Sequence, residues 1–273
     1  MAEKIQNGIM EKIAMCRKKG VEPTIAIVRV GDRPDDVAYE IQVRRVCEKI
    51  GFAYKVYAFP EDIIQARFEV EFSIINTNPK IHGILMFRPL PAHLDEAYLT
   101  SLLDPDKDID CMNPANLGRL FLGRSDAFPP CTSEAVVEIL KYYNIPLEGS
   151  NAVVINRSMV LGKPLALLLL KENATVTICH SRTKKLPKIT READIVVSGI
   201  GKARFLDKTC FSNKSTIIDV GINFIDGKMT GDVDPDAAEV AAAVTPVPGG
   251  VGSVTTSILL RHAVDSAWRK ANG

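Results

Sequence analysis

The chain has 273 residues, with 34 Lys plus Arg against 33 Asp plus Glu and a formal net charge of +1. That length suggests two domains or one large one, at ~100–200 residues per domain. Balanced charge argues against a nucleic-acid or membrane-surface binder. A content of 46% apolar and 25% charged residues excludes wholesale disorder. No apolar run approaches the ~20 residues that cross a bilayer, and no signal-peptide core follows the N-terminal MAEK, so a cytoplasmic protein is expected. The six cysteines and four histidines are scattered without a C-x-x-C pair. Neither disulfides nor a metal site are expected.

Ile5, Ile9 and Ile13 recur every four residues and predict an opening amphipathic helix. The β-branched run at 24–30 predicts a strand that ends at Gly31. A helix is expected over 35–50, stopped by Gly51, then a strand over 52–59, a helix over 62–76 and a strand over 82–87. This βαβαβ order implies a parallel sheet covered by helices. Residues 104–131 are rich in Asp, Pro, Asn and Gly, and read as a functional loop and a domain junction. A helix over 133–143, capped by Ser133 or Thr132, leads into a second alternating unit. That unit has strands at 151–155, 175–179, 194–198 and 216–220 and a helix at 162–171. The last helix, 255–270, is expected to return to the first domain. The fold class is therefore α/β, with one domain over 1–125 and a second over 126–254.

The turn NRSMVLGKP (156–164) joins a strand to a helix, where a doubly wound sheet places a dinucleotide pyrophosphate on helix N–H groups. Only Gly162 represents the usual G-x-G-x-x-G, so an ordinary βα turn is an equally open reading of this segment alone. CHSRT (179–183) follows the next strand, where ribose or its 2′-phosphate is met, and SGIG (198–201) follows a third. Arg157 and Arg182 are each suited to pair with a phosphate through a guanidinium fork. Gly199 and its neighbours are expected to let backbone approach a ligand closely.

Taken together with IDVGIN (218–223), GDV (231–233) and TPVPGGVGSVT (245–255), these segments resemble the methylenetetrahydrofolate dehydrogenase/cyclohydrolase (FolD) family. The resemblance runs from about Val28 to the last helix. It implies an N-terminal folate-binding catalytic domain, a Rossmann-type NAD(P)-binding domain and a homodimer. It implies oxidation of 5,10-methylenetetrahydrofolate by NADP or NAD, followed by hydrolysis of the methenyl product. It places the nucleotide on Asn156, Arg157, Ser158, Gly162, Ser181, Arg182, Gly199, Ile222, Gly249 and Gly250, and the substrate on Tyr39, Asp110, Pro248 and Gly249. Arg157 with Ser181 and Arg182 favours NADP over NAD.

The first domain departs from the family pattern. After VGDRP (30–34), Tyr39 matches the tyrosine of Y-x-x-x-K, but the lysine position is Val43. In GILMFRPLP (83–91) the family glutamine is Phe87. Asp110 of PDKDIDC (105–111) matches the aspartate that holds the pterin, followed by Cys111 where the family has glycine. Hydride transfer asks mainly for positioning of two carbons, whereas cyclohydrolysis asks for proton movement. Valine moves no proton. Arg44 and Arg45 point elsewhere on the helix, and Arg88 is expected on the strand face opposite Phe87. The expectation is a dehydrogenase with little or no cyclohydrolase activity. A fully bifunctional enzyme, a non-catalytic folate- or nucleotide-binding paralogue and a dehydrogenase for another small substrate stay open at this point.

Overall fold

The computed structural model describes residues 1–272, which form two compact units. One comprises residues 2–131 with 256–272, and the other residues 132–255. The expected boundary at 125/126 lies slightly N-terminal of this division. Residues 126–131 still belong to the first unit: Phe128 stacks on His262 with ring centroids 4.7 Å apart, and the Cys131 N–H donates to Asp110 at 2.8 Å.

The first unit opens with α1 (Ala2–Lys18), whose buried seam is Gln6, Ile9, Ile13 and Cys16. Ile5 is only half-buried. Then come β1 (Thr24–Val30), α2 (Pro34–Ile50), β2 (Ala53–Phe59), α3 (Gln65–Thr77) and β3 (Gly83–Met86). Pro34 at the first turn, Asp35 and Asp36 beside it and left-handed Gly51 at the end delimit α2. The sheet order is β2-β1-β3, all parallel, with Val30 opposite Phe59 and Val28 opposite Met86. The loops after all three strands therefore leave from one edge. Phe68, Phe72 and Ile75 of α3 pack with Ala26, Val28, Ile84 and Met86 in one core. At Gly83 a Cβ would lie 2.8 Å from Ile109 and 3.2 Å from Ala263, so this glycine permits the close packing there.

In this first unit two helices were not foreseen, α4 (Glu96–Leu102) and α5 (Pro114–Phe121). Asp95 accepts the Tyr98 N–H and Asn113 accepts the Ala115 N–H, at 2.9 and 2.7 Å. The polar residues and the proline that suggested loop are the caps and first-turn positions of short helices.

His82, buried just before β3, accepts the Thr24 N–H on Nδ1 at 3.3 Å. Burial, then the charges of Lys270 and Lys107, lower its pKa to about 4. The unfolded chain takes up this proton near pH 6.5 and the folded chain only near 4, so folding stability falls as pH drops through that window. Asparagine can present an acceptor to the same N–H without titrating. Urea unfolding at pH 7 and 4.5 is expected to show the acid loss of stability shrink by about 2 kcal/mol in His82→Asn, a value already discounted for solvent screening. An equal loss in both proteins would assign the acid sensitivity to other groups.

The second unit contains α6 (Cys131–Tyr142) from Thr132 onward, β4 (Asn151–Ile155), α7 (Gly162–Lys171), β5 (Thr175–Cys179), α8 (Leu186–Glu192), β6 (Ile195–Ser198) and β7 (Thr216–Asp219). A hairpin of β8 (Asn223–Ile225) and β9 (Lys228–Thr230), short β10 (Ala243–Val244) and the start of α9 (Val251–Asn272) complete it. Ser133 is not the cap of α6. The helix begins before it, and its hydroxyl donates to the carbonyls of Val160 and Leu161 at 3.0 and 3.1 Å. α9 starts at Val251 rather than 255, directly after the Gly249-Gly250 pair, and residues 256–272 belong to the first unit.

The sheet order is β10-β7-β6-β4-β5, all parallel. Counted in chain order from β4 this is 2-1-3-4-5, with the order reversing between β4 and β6. Ligands of doubly wound sheets bind outside the carboxyl ends of strands at such a switch point. No helix among the described residues is long and apolar enough to cross a membrane.

Candidate active site

In the first unit, Tyr39 and Val43 lie one turn apart on the same face of α2. Val43 is fully buried and Phe87 nearly so. The Phe87 ring is 5.7 Å from that of Tyr39, so an apolar wall stands beside the phenol. Burial, then the nearby Asp110 carboxylate and Cys131, push the Tyr39 pKa well above the ordinary phenol range, against a hydrogen bond with Thr256. Tyr39 therefore stays protonated at neutral pH.

Asp110 accepts the Cys131 N–H, the first of α6, and so caps that helix from outside. Burial raises its pKa, opposed by the hydrogen bonds from Cys131 and by the charge of Arg88. The rest of PDKDIDC is structural. Lys107 donates to the Asn76 and Asn78 carbonyls, and Asp108 accepts from Met112 N, Asn113 N and the Asn116 amide at 2.9 Å each. Cys111 adopts φ 56°, the left-handed region where the family pattern has glycine.

The neighbours of Val43 are engaged elsewhere. Arg44 lies 3.4 Å from both Glu40 and the Tyr54 hydroxyl, and Arg45 is exposed. Arg88 requires a correction. β3 ends at Met86, so strand alternation does not extend to it; its guanidinium lies 3.7 Å from Glu96, and its charge acts on Asp110. His262 was not foreseen. It is buried, its Nδ1 is 2.8 Å from the Ile109 carbonyl and 3.7 Å from Cys131 Sγ, and it thereby braces the residues on both sides of Asp110's hydrogen bond.

In the second unit, Ile155 is opposite both Cys179 and Ser198, and Ser198 is opposite Asp219. The loops starting at 156, 180, 199 and 220 therefore share one edge, and Thr245 N bonding to the Ile217 carbonyl brings residues 245–250 to the same edge. Exposed Arg157 and Arg182 follow adjacent strands β4 and β5, and Lys163 opens α7. None of these three cations makes an ion pair or side-chain hydrogen bond among the described residues. No carboxylate follows β5 before Thr183. The exposed Ser181 hydroxyl and Ile222 side chain lie on these same loops.

The expected helix-borne phosphate cradle is corrected. Leu161 N donates to Ser158 Oγ, Gly162 N to Asn156 Oδ1 and Lys163 N to the Ser158 carbonyl, while Pro164 has no N–H. Every first-turn donor of α7 is thus taken inside the protein. Gly199 is likewise a packing glycine, since a Cβ there would lie 2.3 Å from Leu161 Cδ2. At Gly162 and Gly250 a Cβ would meet backbone oxygens at 2.0 and 2.3 Å. In 245–250 only Gly249, with φ 99°, needs glycine for its conformation. Pro248 precedes it in the same loop.

Two motifs turn out to be one device. Buried Asp232 accepts from Ser198 Oγ, from the N–H groups of Ile200, Gly201 and Lys202, and from the Asn223 amide, all within 2.6–3.0 Å. Asp219 accepts from Gly221 N, Asp232 N and Val233 N. A Cβ on Gly221 would strike the Asp232 carboxylate at 2.3 Å, and one on Gly231 the Asp219 carboxylate at 1.9 Å. Each glycine makes room for the other motif's aspartate. The spacing of two G/D pairs was the visible signal, but their mutual contact is not written in either segment.

Comparison with known proteins agrees with this arrangement. The catalytic-domain model of tetrahydrofolate dehydrogenase/cyclohydrolase matches residues 1–110, and the NAD(P)-binding-domain model of the same family matches residues 130–271. The bifunctional protein FolD of Clostridium botulinum (strain Hall) is 50% identical over 273 residues, 99% of this chain and 97% of that protein. That of Alkaliphilus oremlandii is 51% identical over 274 residues, 100% and 96%. The solved FolD methylenetetrahydrofolate dehydrogenase/cyclohydrolase of Campylobacter jejuni aligns with TM-score 0.96 at 36% identity, covering 98% of this chain and 96% of that one. The Trypanosoma brucei enzyme, complexed with NADP cofactor and inhibitor, aligns with TM-score 0.94 at 34% identity, covering 100% and 96%. Two α/β domains with parallel sheets, the sequence motifs and these matches agree: the chain belongs to the tetrahydrofolate dehydrogenase/cyclohydrolase family.

Proposed function

We propose that the chain oxidises 5,10-methylenetetrahydrofolate to the 5,10-methenyl form, prefers NADP, and has little or no cyclohydrolase activity. The observation that carries the reading is the apolar pair Val43 and Phe87 beside a Tyr39 held protonated. The nucleotide, when bound, supplies the hydride acceptor. The chain's part is to place and hold the reactants. Asp110 presents a carboxylate whose four acceptor sites exceed what Cys131 uses, leaving capacity for two adjacent pterin N–H groups. Tyr39 offers a hydroxyl and a ring face to the same substrate. No residue needs to take a proton, because the folate nitrogen supplies the electrons as hydride leaves.

The residues present fit an anionic dinucleotide. Arg157, Lys163 and Arg182 are uncommitted cations at the edge where the strands end, and Ser158, Ser181, Ile222, Gly249 and Gly250 belong to the loops there. No acid stands after β5 to accept a free ribose 2′-hydroxyl, whereas Ser181 and Arg182 suit a 2′-phosphate. In this reading the protein is a cytoplasmic homodimer.

Absorbance at 340 nm after mixing with methylenetetrahydrofolate and NADP tests the dehydrogenase. No increase with either NADP or NAD would favour a non-catalytic paralogue. For the nucleotide, Arg182→Gln is expected to raise the NADP KM about tenfold, the low end for a charge-assisted hydrogen bond at an exposed site, and to leave the NAD KM within about twofold. Equal effects on both nucleotides would remove Arg182 from 2′-phosphate recognition.

A further inference from the structure

Asn156 is the first residue of the loop after β4, and its side chain lies at the switch point of the sheet. Its Oδ1 accepts the Ser158 N–H at 2.7 Å and the Gly162 N–H at 3.0 Å, and its Nδ2 donates to the Gly199 carbonyl at 2.6 Å. One carboxamide thus joins the loop after β4, the first turn of α7 and the loop after β6. The far side of that second loop is fixed by Asp232, which takes the N–H groups of Ile200, Gly201 and Lys202. The N–H groups of Ser158, Gly162, Ile200, Gly201 and Lys202 are therefore engaged before any ligand arrives.

We infer that Asn156 is a positioning residue for the nucleotide: it holds the two switch-point loops in their binding arrangement in the free protein, and leaves recognition of the phosphates to the side chains of Arg157 and Lys163. The inference rests on the reading of these loops as the nucleotide site. A glycine at 156 provides neither the bridge to Gly199 nor the cap on α7, so the loops have to be ordered when the nucleotide binds. That ordering is subtracted from affinity. The bridge is short and lies within the crevice, so its loss acts on binding rather than on the hydride step.

The test uses Asn156→Gly and Asn156→Ala in the full chain. Calorimetric titration with NADP is expected to give Kd values about tenfold above wild type in both variants, while kcat at saturating NADP stays within about twofold. Amide exchange at 199–202 is expected to be faster in the nucleotide-free variants and to return to the wild-type rate on saturation. A role in fold stability alone moves the melting temperature without moving Kd, and that result overturns the inference. Tighter binding by the variants also overturns it, since Asn156 would then be an obstruction at the α7 terminus. Weakening in the glycine variant but not the alanine variant would assign the effect to backbone freedom instead of the carboxamide. If wild type binds neither NADP nor NAD, the nucleotide reading falls as well; if wild type binds and the variants match it, only the role of Asn156 falls.

Discussion

Purified protein supplied with 5,10-methenyltetrahydrofolate is expected to consume it no faster than buffer does, in preparations that reduce NADP readily with the methylene form. Hydrolysis of the methenyl cation requires water to be activated and a proton to be delivered as the adduct opens, and a positioned acid or base contributes about 10²–10⁴-fold to such a step. The positions that carry lysine and glutamine in the family pattern hold Val43 and Phe87, and neither side chain can supply it. Tyr39 is a protonated phenol with its pKa raised by burial and by Asp110. Val43 is fully buried on the turn where a lysine would lie alongside it, and Phe87 closes the other side. Arg44 is held near Glu40 and Tyr54, Arg45 points to solvent, and Arg88 lies 3.7 Å from Glu96 and carries a guanidinium, which donates hydrogen bonds and accepts none. Hydrolysis clearly above the buffer rate would sink the monofunctional reading and leave the dehydrogenase reading intact.

The two substitutions are coupled, which gives the prediction a second arm. Val43→Lys alone puts an ammonium into a fully buried position against a phenyl ring. Its charge is uncompensated there, so the lysine is neutral or the helix shifts. The single variant is expected to be less stable by several kcal/mol and to gain no hydrolysis. Val43→Lys with Phe87→Gln returns a hydrogen-bonding partner and is expected to regain measurable hydrolysis. Activity in the single variant would show that Phe87 is not what prevents it.

Much of this architecture is readable from the chain, for a physical reason. The β-branched runs at 24–30 and 151–155 and the glycine stops at 31 and 51 are local signals, and they mark elements that the structure contains at nearly those bounds. Short helices escape because their caps look like loop. Asp95 and Asn113 resemble turn residues until the N–H groups they accept are known. The site divides in the same way. Val43 and Phe87 were legible as departures from a pattern, since a missing polar group is visible in one dimension. Alternation cannot place Arg88, which lies two residues past the end of β3. The aspartate pair 219 and 232 and the bridge from Asn156 to Gly199 join segments 13 and 43 residues apart, respectively. No local pattern encodes such contacts; the parallel register, which sets Ile155 opposite Ser198 and Ser198 opposite Asp219, brings these segments together. From the sequence, Gly162 reads as the one glycine of a dinucleotide turn and Gly199 as room for a ligand's close approach. In this chain they admit the neighbouring protein atoms instead.

Asp110 carries the second large effect, and separating its two jobs is the point of the experiment. One carboxylate oxygen accepts the Cys131 N–H and caps α6, while the remaining acceptor capacity is what a pterin ring would use. Asp110→Ala removes both, so a fall in activity could follow from a frayed helix start, which costs about 1–2 kcal/mol. Asp110→Asn does not have that ambiguity. Its amide oxygen can keep the Cys131 N–H, but its NH₂ faces ligand N–H groups as donor against donor. Two charge-assisted hydrogen bonds at about 1.5–3 kcal/mol each are lost, so kcat/KM for methylenetetrahydrofolate is expected to fall about 10²–10⁴-fold. The NADP Kd is expected to stay within about twofold, and the melting temperature within a few degrees. The pH profile adds a check with a defined sign. Burial raises the Asp110 pKa, so the carboxylate is lost at a higher pH than an ordinary aspartate as the solution is acidified. The wild-type kcat/KM should show that acid limb at higher pH than an ordinary aspartate gives, and the asparagine variant should lack it. If Asp110→Asn retains kcat/KM within about threefold, Asp110 is a helix cap and nothing more, and the folate must be held by other groups near Tyr39.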